Sequence, residues 1–115
     1  MRSVWADDAG SAAAEFAVAL PAVALVLGLC VSGVAVSAQQ VRLQDAAADA
    51  ARSLGRGESA AVAAGHAARG IAGVGLESWM SGELVCARVS APAAGPIGAT
   101  GLRLQATSCA LDGGR

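Results

Sequence analysis

The chain has 115 residues, which is enough for one small domain at most. Hydrophobic residues make up 55% of it and aromatic residues only 3%, so any core must be built mainly from alanine and valine. The net charge is −1 and no basic patch is present, which gives no support to nucleic-acid binding.

The first ten residues differ from the start of a secretory signal peptide. Such a peptide opens with basic residues, whereas here Arg2 is the only basic side chain and is opposed by Asp7 and Asp8. The segment ends at Gly10, shortly before the apolar part of the chain.

Residues 16–38 form a run of 23 residues without a charge. As a helix this run would be about 35 Å long, which is enough to cross a hydrocarbon layer of ~30 Å. Pro21 lies near the start of the run, where a membrane helix tolerates proline with a kink. The run therefore predicts a transmembrane helix.

The helical pattern continues beyond the apolar run. No proline or glycine lies between Val34 and Leu54, and apolar residues recur there at helical spacing. Gly55 and Gly57 then end the pattern. We predict one continuous helix of about 40 residues, with its first half in lipid and an amphipathic second half over residues 39–56.

The C-terminal part predicts a small mixed element. Residues 58–69 are alanine-rich and predict a short helix with Ser59 as its N-cap. Residues 84–89 and 102–109 predict two strands of an antiparallel hairpin, because the segment between them is rich in proline and glycine. We expect this hairpin to lie on the amphipathic half of the long helix, covering Leu43, Ala47 and Leu54.

Two of the three cysteines fall on the predicted strands. A disulfide between Cys86 and Cys109 would close a loop of about 24 residues and stabilise the domain by about 3 kcal/mol. The alternative is two unpaired cysteines in a thin core. Cys30 lies in the apolar run, where we expect a free thiol.

The residues around Gly10 resemble the cleavage site of type IV prepilins. In that family a membrane peptidase cuts after a glycine, and a glutamate is the fifth residue of the product. Here cleavage would fall between Gly10 and Ser11, and Glu15, followed by Phe16, would take the fifth position. Residues 14–21 resemble the TadE-like family of tight-adherence (Flp-type) pili, and residues 39–52 resemble its small actinobacterial minor pilins.

The resemblance implies an α+β chain in four parts. These are a leader over residues 1–10, a transmembrane helix over 11–38, an amphipathic extension over 39–56 and a small extracytoplasmic α/β domain over 57–115. It implies a minor pilin or pseudopilin of a pilus or related secretion system, which acts in assembly through helix packing and serves cell adhesion. The chain would be a single-pass protein of the cytoplasmic membrane, or part of a surface pilus.

The partners that the resemblance implies are a prepilin peptidase, other pilin or TadE-like subunits, the platform proteins of the tight-adherence system, and membrane lipid. In assembled pilins of this kind, the glutamate pairs with the new terminal amine of a neighbouring subunit, which here would be that of Ser11. The alternative is that Glu15 lies solvated at the headgroup level.

Two other readings of the chain stay open. A small secreted protein would lose a signal peptide by cleavage after Ala38, and an unprocessed membrane adaptor would keep Met1. The charges also oppose the orientation that the resemblance implies, because Arg42, Arg52 and Arg56 follow the apolar run while only Arg2 precedes it.

The sequence predicts no catalytic chemistry. It contains no phosphate-binding loop, no nucleophile with a nearby base in a suitable context, and no paired ligands at metal spacing. His66, the single histidine, has no cysteine or carboxylate at a helical spacing that would complete a metal site. We therefore expect no enzyme activity, no cofactor, no metal and no small-molecule substrate.

Overall fold

The structure of the chain, a computed structural model, describes the backbone of residues 4–113 and the side chains of residues 10–113. The chain divides into two compact units, one ending at Gly33 and the other beginning at Val34. Its elements in chain order are α1 (Val4–Gly55), α2 (Ala60–Ala67), β1 (Gly75–Ser81), β2 (Leu84–Pro92), a 3-10 helix (Gly95–Thr100) and β3 (Arg103–Leu111).

The long helix is confirmed and is longer than predicted. It has 52 residues and runs through Pro21. It ends at Gly55, where the sequence placed its end. It begins at Val4, so the segment before Gly10 is also helical. Residues 1–3 of the predicted leader lie outside the described part of the chain, as do the side chains of Asp7 and Asp8.

The predicted hairpin is confirmed and is part of a larger sheet. Strands β2 and β3 pair antiparallel, with Val89 opposite Ala106 and Cys86 opposite Cys109. Strand β1, which the sequence analysis did not identify, pairs antiparallel with β2 on its other side. The sheet therefore has three strands in the order β1-β2-β3, and both β1 and β3 are edge strands.

The core of the second unit lies between the sheet and the last five turns of α1. Leu43 and Ala47 are fully buried there and pack with Val89, Ala91 and Ala106 of the sheet. The expectation that the sheet covers Leu43 and Ala47 is therefore confirmed, and Leu54 is half-buried against the neighbouring cluster. Because most of these side chains are alanine and valine, the sheet and the helix pack closely and the core is thin.

The short helix α2 forms as predicted. The Ser59 hydroxyl caps its N-terminus by accepting a hydrogen bond from the backbone N–H of Val62 at 3.3 Å. Ala63 and Ala67 face inward and are buried, which adds α2 to the core of the second unit.

Candidate processing site and membrane segment

The predicted cleavage site lies on an exposed stretch of α1. Gly10, Ser11, Glu15 and Phe16 are all exposed, and the Phe16 side chain keeps 65% of its accessible surface. Ser11 and Glu15 are four residues apart, so they lie on the same side of the helix. A Cβ atom added at Gly10 would meet no other atom within 4 Å, so a side chain at this position fits the folded chain.

The apolar run forms the exposed part of α1. Val36, near its end, is half-buried. Ten other large side chains of the run are more than half exposed: Phe16, Val18, Leu20, Val23, Leu25, Val26, Leu27, Leu29, Val31 and Val34. Its most apolar 18-residue window has a mean hydropathy of 2.4, and none of that window is buried. Among the described residues, this is the one helix long and apolar enough to cross a membrane. So large an exposed apolar surface requires lipid or partner helices to cover it.

Two residues of the run that carry polar atoms suit an apolar surrounding. The Ser32 hydroxyl donates to the backbone carbonyl of Gly28 at 2.8 Å, which satisfies its proton within the helix. Cys30 is an exposed free thiol, and a thiol is only a weak hydrogen-bond donor.

This helix can be compared with known protein families. The family model described as TadE-like protein matches residues 10–52, from the predicted cleavage site to the last turn of α1. Over this helix, the chain is similar to the TadE-like proteins. The TadE-like family is a pilus-related family and not a family of enzymes. No curated protein and no solved structure matches the chain.

Three glutamines of α1, whose role the sequence did not reveal, hold the sheet against this helix. Gln40 donates from Nε2 to the backbone carbonyl of Gln105 at 2.9 Å, and Gln44 donates to that of Thr107 at 3.3 Å. Both acceptors lie on the edge strand β3. Four residues of helix rise about 6 Å and two residues of strand about 6.8 Å, so the spacing of the donors matches that of the acceptors.

Gln39 fastens the loop after β2 to the same helix. Its Nε2 donates to the carbonyl of Pro92 at 2.7 Å, and its Oε1 accepts from the backbone N–H of Ala94 at 2.6 Å. In the sequence, the available signal for these contacts was the group of three glutamines, Gln39, Gln40 and Gln44, directly after the apolar run. Their partners lie 53 to 65 residues further along the chain, so local pattern does not reveal them.

A disulfide joins the two strands of the hairpin. The Sγ atoms of Cys86 and Cys109 lie 1.97 Å apart, and the two residues are direct partners in the β2–β3 register. Trp79 of β1 is the partner of Cys86 on the other side of β2. The guanidinium of Arg88 stacks 5.1 Å from the centre of the Trp79 ring.

A polar cluster fixes the C-terminal end of α1. The buried Ser53 hydroxyl donates to Glu58 Oε2 at 2.8 Å, and Arg56 Nη2 donates to Glu58 Oε1 at 3.0 Å. The hydrogen bond from Ser53 and then that from Arg56 lower the pKa of Glu58 below its ordinary value. The backbone N–H of Gly113 donates to the carbonyl of Gly55 at 2.8 Å, which ties the residues after β3 to the same helix end.

The described residues contain no group of three or more histidine, cysteine, aspartate or glutamate side chains that could hold a metal ion. His66 lies on the exposed side of α2. The structure therefore assembles no candidate metal centre within the part of the chain that it describes.

Proposed function

We propose that this TadE-like chain is a minor pilin or pseudopilin of a tight-adherence type IV pilus or related secretion system, of the small actinobacterial type. A prepilin peptidase removes the leader after Gly10, the apolar run anchors the product in the cytoplasmic membrane, and the C-terminal domain lies outside. The chain then acts in pilus assembly through helix packing with other pilin or TadE-like subunits and with the platform proteins.

The observation that carries this proposal is where the family match begins. It starts at Gly10, directly before the bond that the peptidase would cut, and continues over the exposed apolar helix. The bond between Gly10 and Ser11 lies in helical backbone, which must unwind before a peptidase can bind it in an extended form. Glycine is among the least helix-stabilising residues, so unwinding costs little at this position.

After cleavage, Ser11 carries the new terminal amine and Glu15 lies one turn along the same side of the helix. A carboxylate at the edge of the hydrocarbon is costly unless it is paired. We propose that Glu15 pairs with the amine of Ser11 from a neighbouring subunit, which would align the two helices during assembly.

The disulfide supports an external position for the domain. Disulfides form and persist outside the reducing cytoplasm. The Cys86–Cys109 bond joins strands that lie entirely after the membrane segment. A disulfide-bonded domain on the outer side agrees with the orientation proposed here. The arginines that follow the apolar run favour the opposite orientation.

Determining the N-terminal residue of the protein from native membranes tests the proposal. We expect mass spectrometry to find a product that begins at Ser11. Replacing Gly10 by valine should abolish this product without unfolding the chain, because the added side chain meets nothing. Gly28→Val is the matched control, since a Cβ atom at Gly28 also meets nothing within 4 Å, and that variant should be cut normally.

The other two readings give different termini in the same experiment. A product that begins at Gln39 would establish the secreted protein, and a chain that keeps Met1 in cells with an active peptidase would establish the unprocessed adaptor. Either result would contradict the pilin proposal.

A further inference from the structure

A groove of about 670 Å³ lies within the C-terminal unit, beside the start of the amphipathic part of α1. One wall is the helix surface formed by Ala35, Ala38, Gln39 and Arg42. The other walls are the loop of residues 70–73 and the end of β2 with the loop that follows it, residues 92–94. The volume is within the usual range for small-molecule sites, about 300–1,000 Å³. We call this feature the interfacial groove.

The interfacial groove lies where the uncharged run ends. Ala38 is the last residue of the run, and the next residue, Gln39, holds the second loop through its hydrogen bonds to Pro92 and Ala94. From Ala35 to Arg42 the helix rises about 10 Å. This is comparable with the polar headgroup layer on one side of a bilayer, about 5–8 Å thick.

Arg42 is the single charged residue that lines the interfacial groove. It is exposed, and the ion pairs found among the described residues join other groups: Asp49 with Arg52, Arg56 with Glu58, and Glu77 with Arg88. A neighbouring pocket, which Arg42 also lines, differs because it contains charges of both signs, from Asp45, Asp49 and Arg69. The interfacial groove thus combines apolar walls with one exposed cation that forms none of these ion pairs.

We propose that the interfacial groove binds an anionic phospholipid of the outer leaflet, with the Arg42 guanidinium donating to the lipid phosphate. The planar guanidinium can donate two parallel hydrogen bonds to a phosphate. The glycerol and first acyl carbons pack against the alanines of the helix and the two loops. A free phosphate ion would leave these apolar walls uncovered, whereas a lipid in the same leaflet covers them. This inference rests on the proposed membrane anchoring.

The test uses the full-length chain in nanodiscs that contain equal parts of phosphatidylglycerol and phosphatidylcholine. Native mass spectrometry of the released protein then counts the lipids that it retains. We expect the wild type to retain phosphatidylglycerol in preference to phosphatidylcholine. Arg42→Gln should lower this retention about tenfold, because it removes a charge-assisted contact.

A second variant tests the groove rather than the charge. Ala38→Phe places a ring over the helix wall of the groove and should also displace the lipid. Arg52→Gln and Val41→Phe are the matched controls, since both residues are exposed on α1 and neither lines the groove. Both controls should retain phosphatidylglycerol as the wild type does.

Two results would overturn the inference: equal retention of the two lipids by the wild type, or wild-type retention by Arg42→Gln or Ala38→Phe. Membrane insertion is measured separately, by resistance of the chain to carbonate extraction. A wild type that is extracted by carbonate refutes the membrane anchoring itself. If the wild type stays inserted but Arg42→Gln or Ala38→Phe still retains the lipid, only the proposed lipid binding in the groove is refuted.

Discussion

The side-chain amide of Gln40 donates to the backbone carbonyl of Gln105 at 2.9 Å, and so joins the long helix to the outer edge of the sheet. Edge strands carry unpaired backbone groups that can recruit strands from other chains. Gln44 repeats the contact two residues further along β3, at Thr107. The helix therefore protects the β3 edge as well as covering one face of the sheet.

Replacing Gln40 by alanine should lower the free energy of unfolding of the domain by about 0.5–1.5 kcal/mol, the usual contribution of one hydrogen bond. The measurement is urea unfolding of the full chain in detergent, followed by Trp79 fluorescence with Trp5 replaced by phenylalanine. Val41→Ala is the control, because Val41 is the next residue on the helix and is 62% exposed. Equal stability of the two variants would show that the amide contact contributes nothing.

The sequence revealed those features of the fold that local pattern determines. The end of α1 follows from Gly55, and the cap of α2 follows from Ser59. The hairpin follows from two apolar segments with turn residues between them. In each case the physical cause lies within a few residues of the feature.

Features that depend on distant partners were missed. Strand β1 ends in Trp79, Met80 and Ser81, which are all exposed, so no alternation of buried and exposed residues marks it. It forms because β2 supplies its hydrogen bonds. The contacts of the glutamines of α1 were not predicted, since their acceptors become available only after β3 has docked. At the candidate processing site, the choice of Gly10 and Glu15 rests on the resemblance to prepilin cleavage sites and stays a prediction, and the helical backbone across the site was not predicted.

Loss of the disulfide should destabilise the domain strongly. Replacing both Cys86 and Cys109 by alanine removes a cross-link over 23 residues of sequence separation. For a loop of this length the expected cost is about 3 kcal/mol, and the thin alanine and valine core has few other contacts to compensate. Urea unfolding measures the effect, and Cys30→Ser, which removes the exposed free thiol, should leave the midpoint unchanged.

The same cysteines report where the domain lies in the cell. In protein taken from native membranes and denatured in sodium dodecyl sulfate without reductant, a maleimide should label Cys30 alone, and labelling of all three cysteines should require prior reduction. Labelling of three thiols without reduction would contradict both the disulfide and the external position of the domain.

Substitution of two glycines by alanine should have opposite effects. A Cβ atom at Gly55 would lie 2.7 Å from the backbone oxygen of Leu111, so Gly55→Ala must push β3 away from the helix end and should lower stability. Gly65, inside α2, has no atom within 4 Å of an added Cβ, so Gly65→Ala should raise stability by about 0.5–1 kcal/mol. The unfolding midpoints of the two variants, each compared with that of the wild type, test both predictions. A higher midpoint for Gly55→Ala would show that Gly55 does not lie close to the backbone oxygen of Leu111.

The Glu58 cluster should make the domain less stable in acid. Because the pKa of Glu58 is lower in the folded than in the unfolded chain, its ionised form favours folding above the unfolded pKa of about 4.3. This stabilisation is lost as the pH falls through the lowered folded value. Glu58→Gln should therefore unfold more easily than the wild type near neutral pH, and the difference should shrink below about pH 4.

Two serine variants separate this effect from a general loss of stability. Ser53→Ala removes the hydrogen bond that lowers the pKa of Glu58 most, so it should flatten the dependence of stability on pH. Ser59→Ala removes only the N-cap of α2, so it should lower stability by about 1 kcal/mol at every pH. Unfolding midpoints measured between neutral and acidic pH distinguish the two outcomes. If Ser53→Ala keeps the wild-type pH dependence, Ser53 does not hold Glu58 in its ionised form, and the contact with Arg56 accounts for the lowered pKa of Glu58.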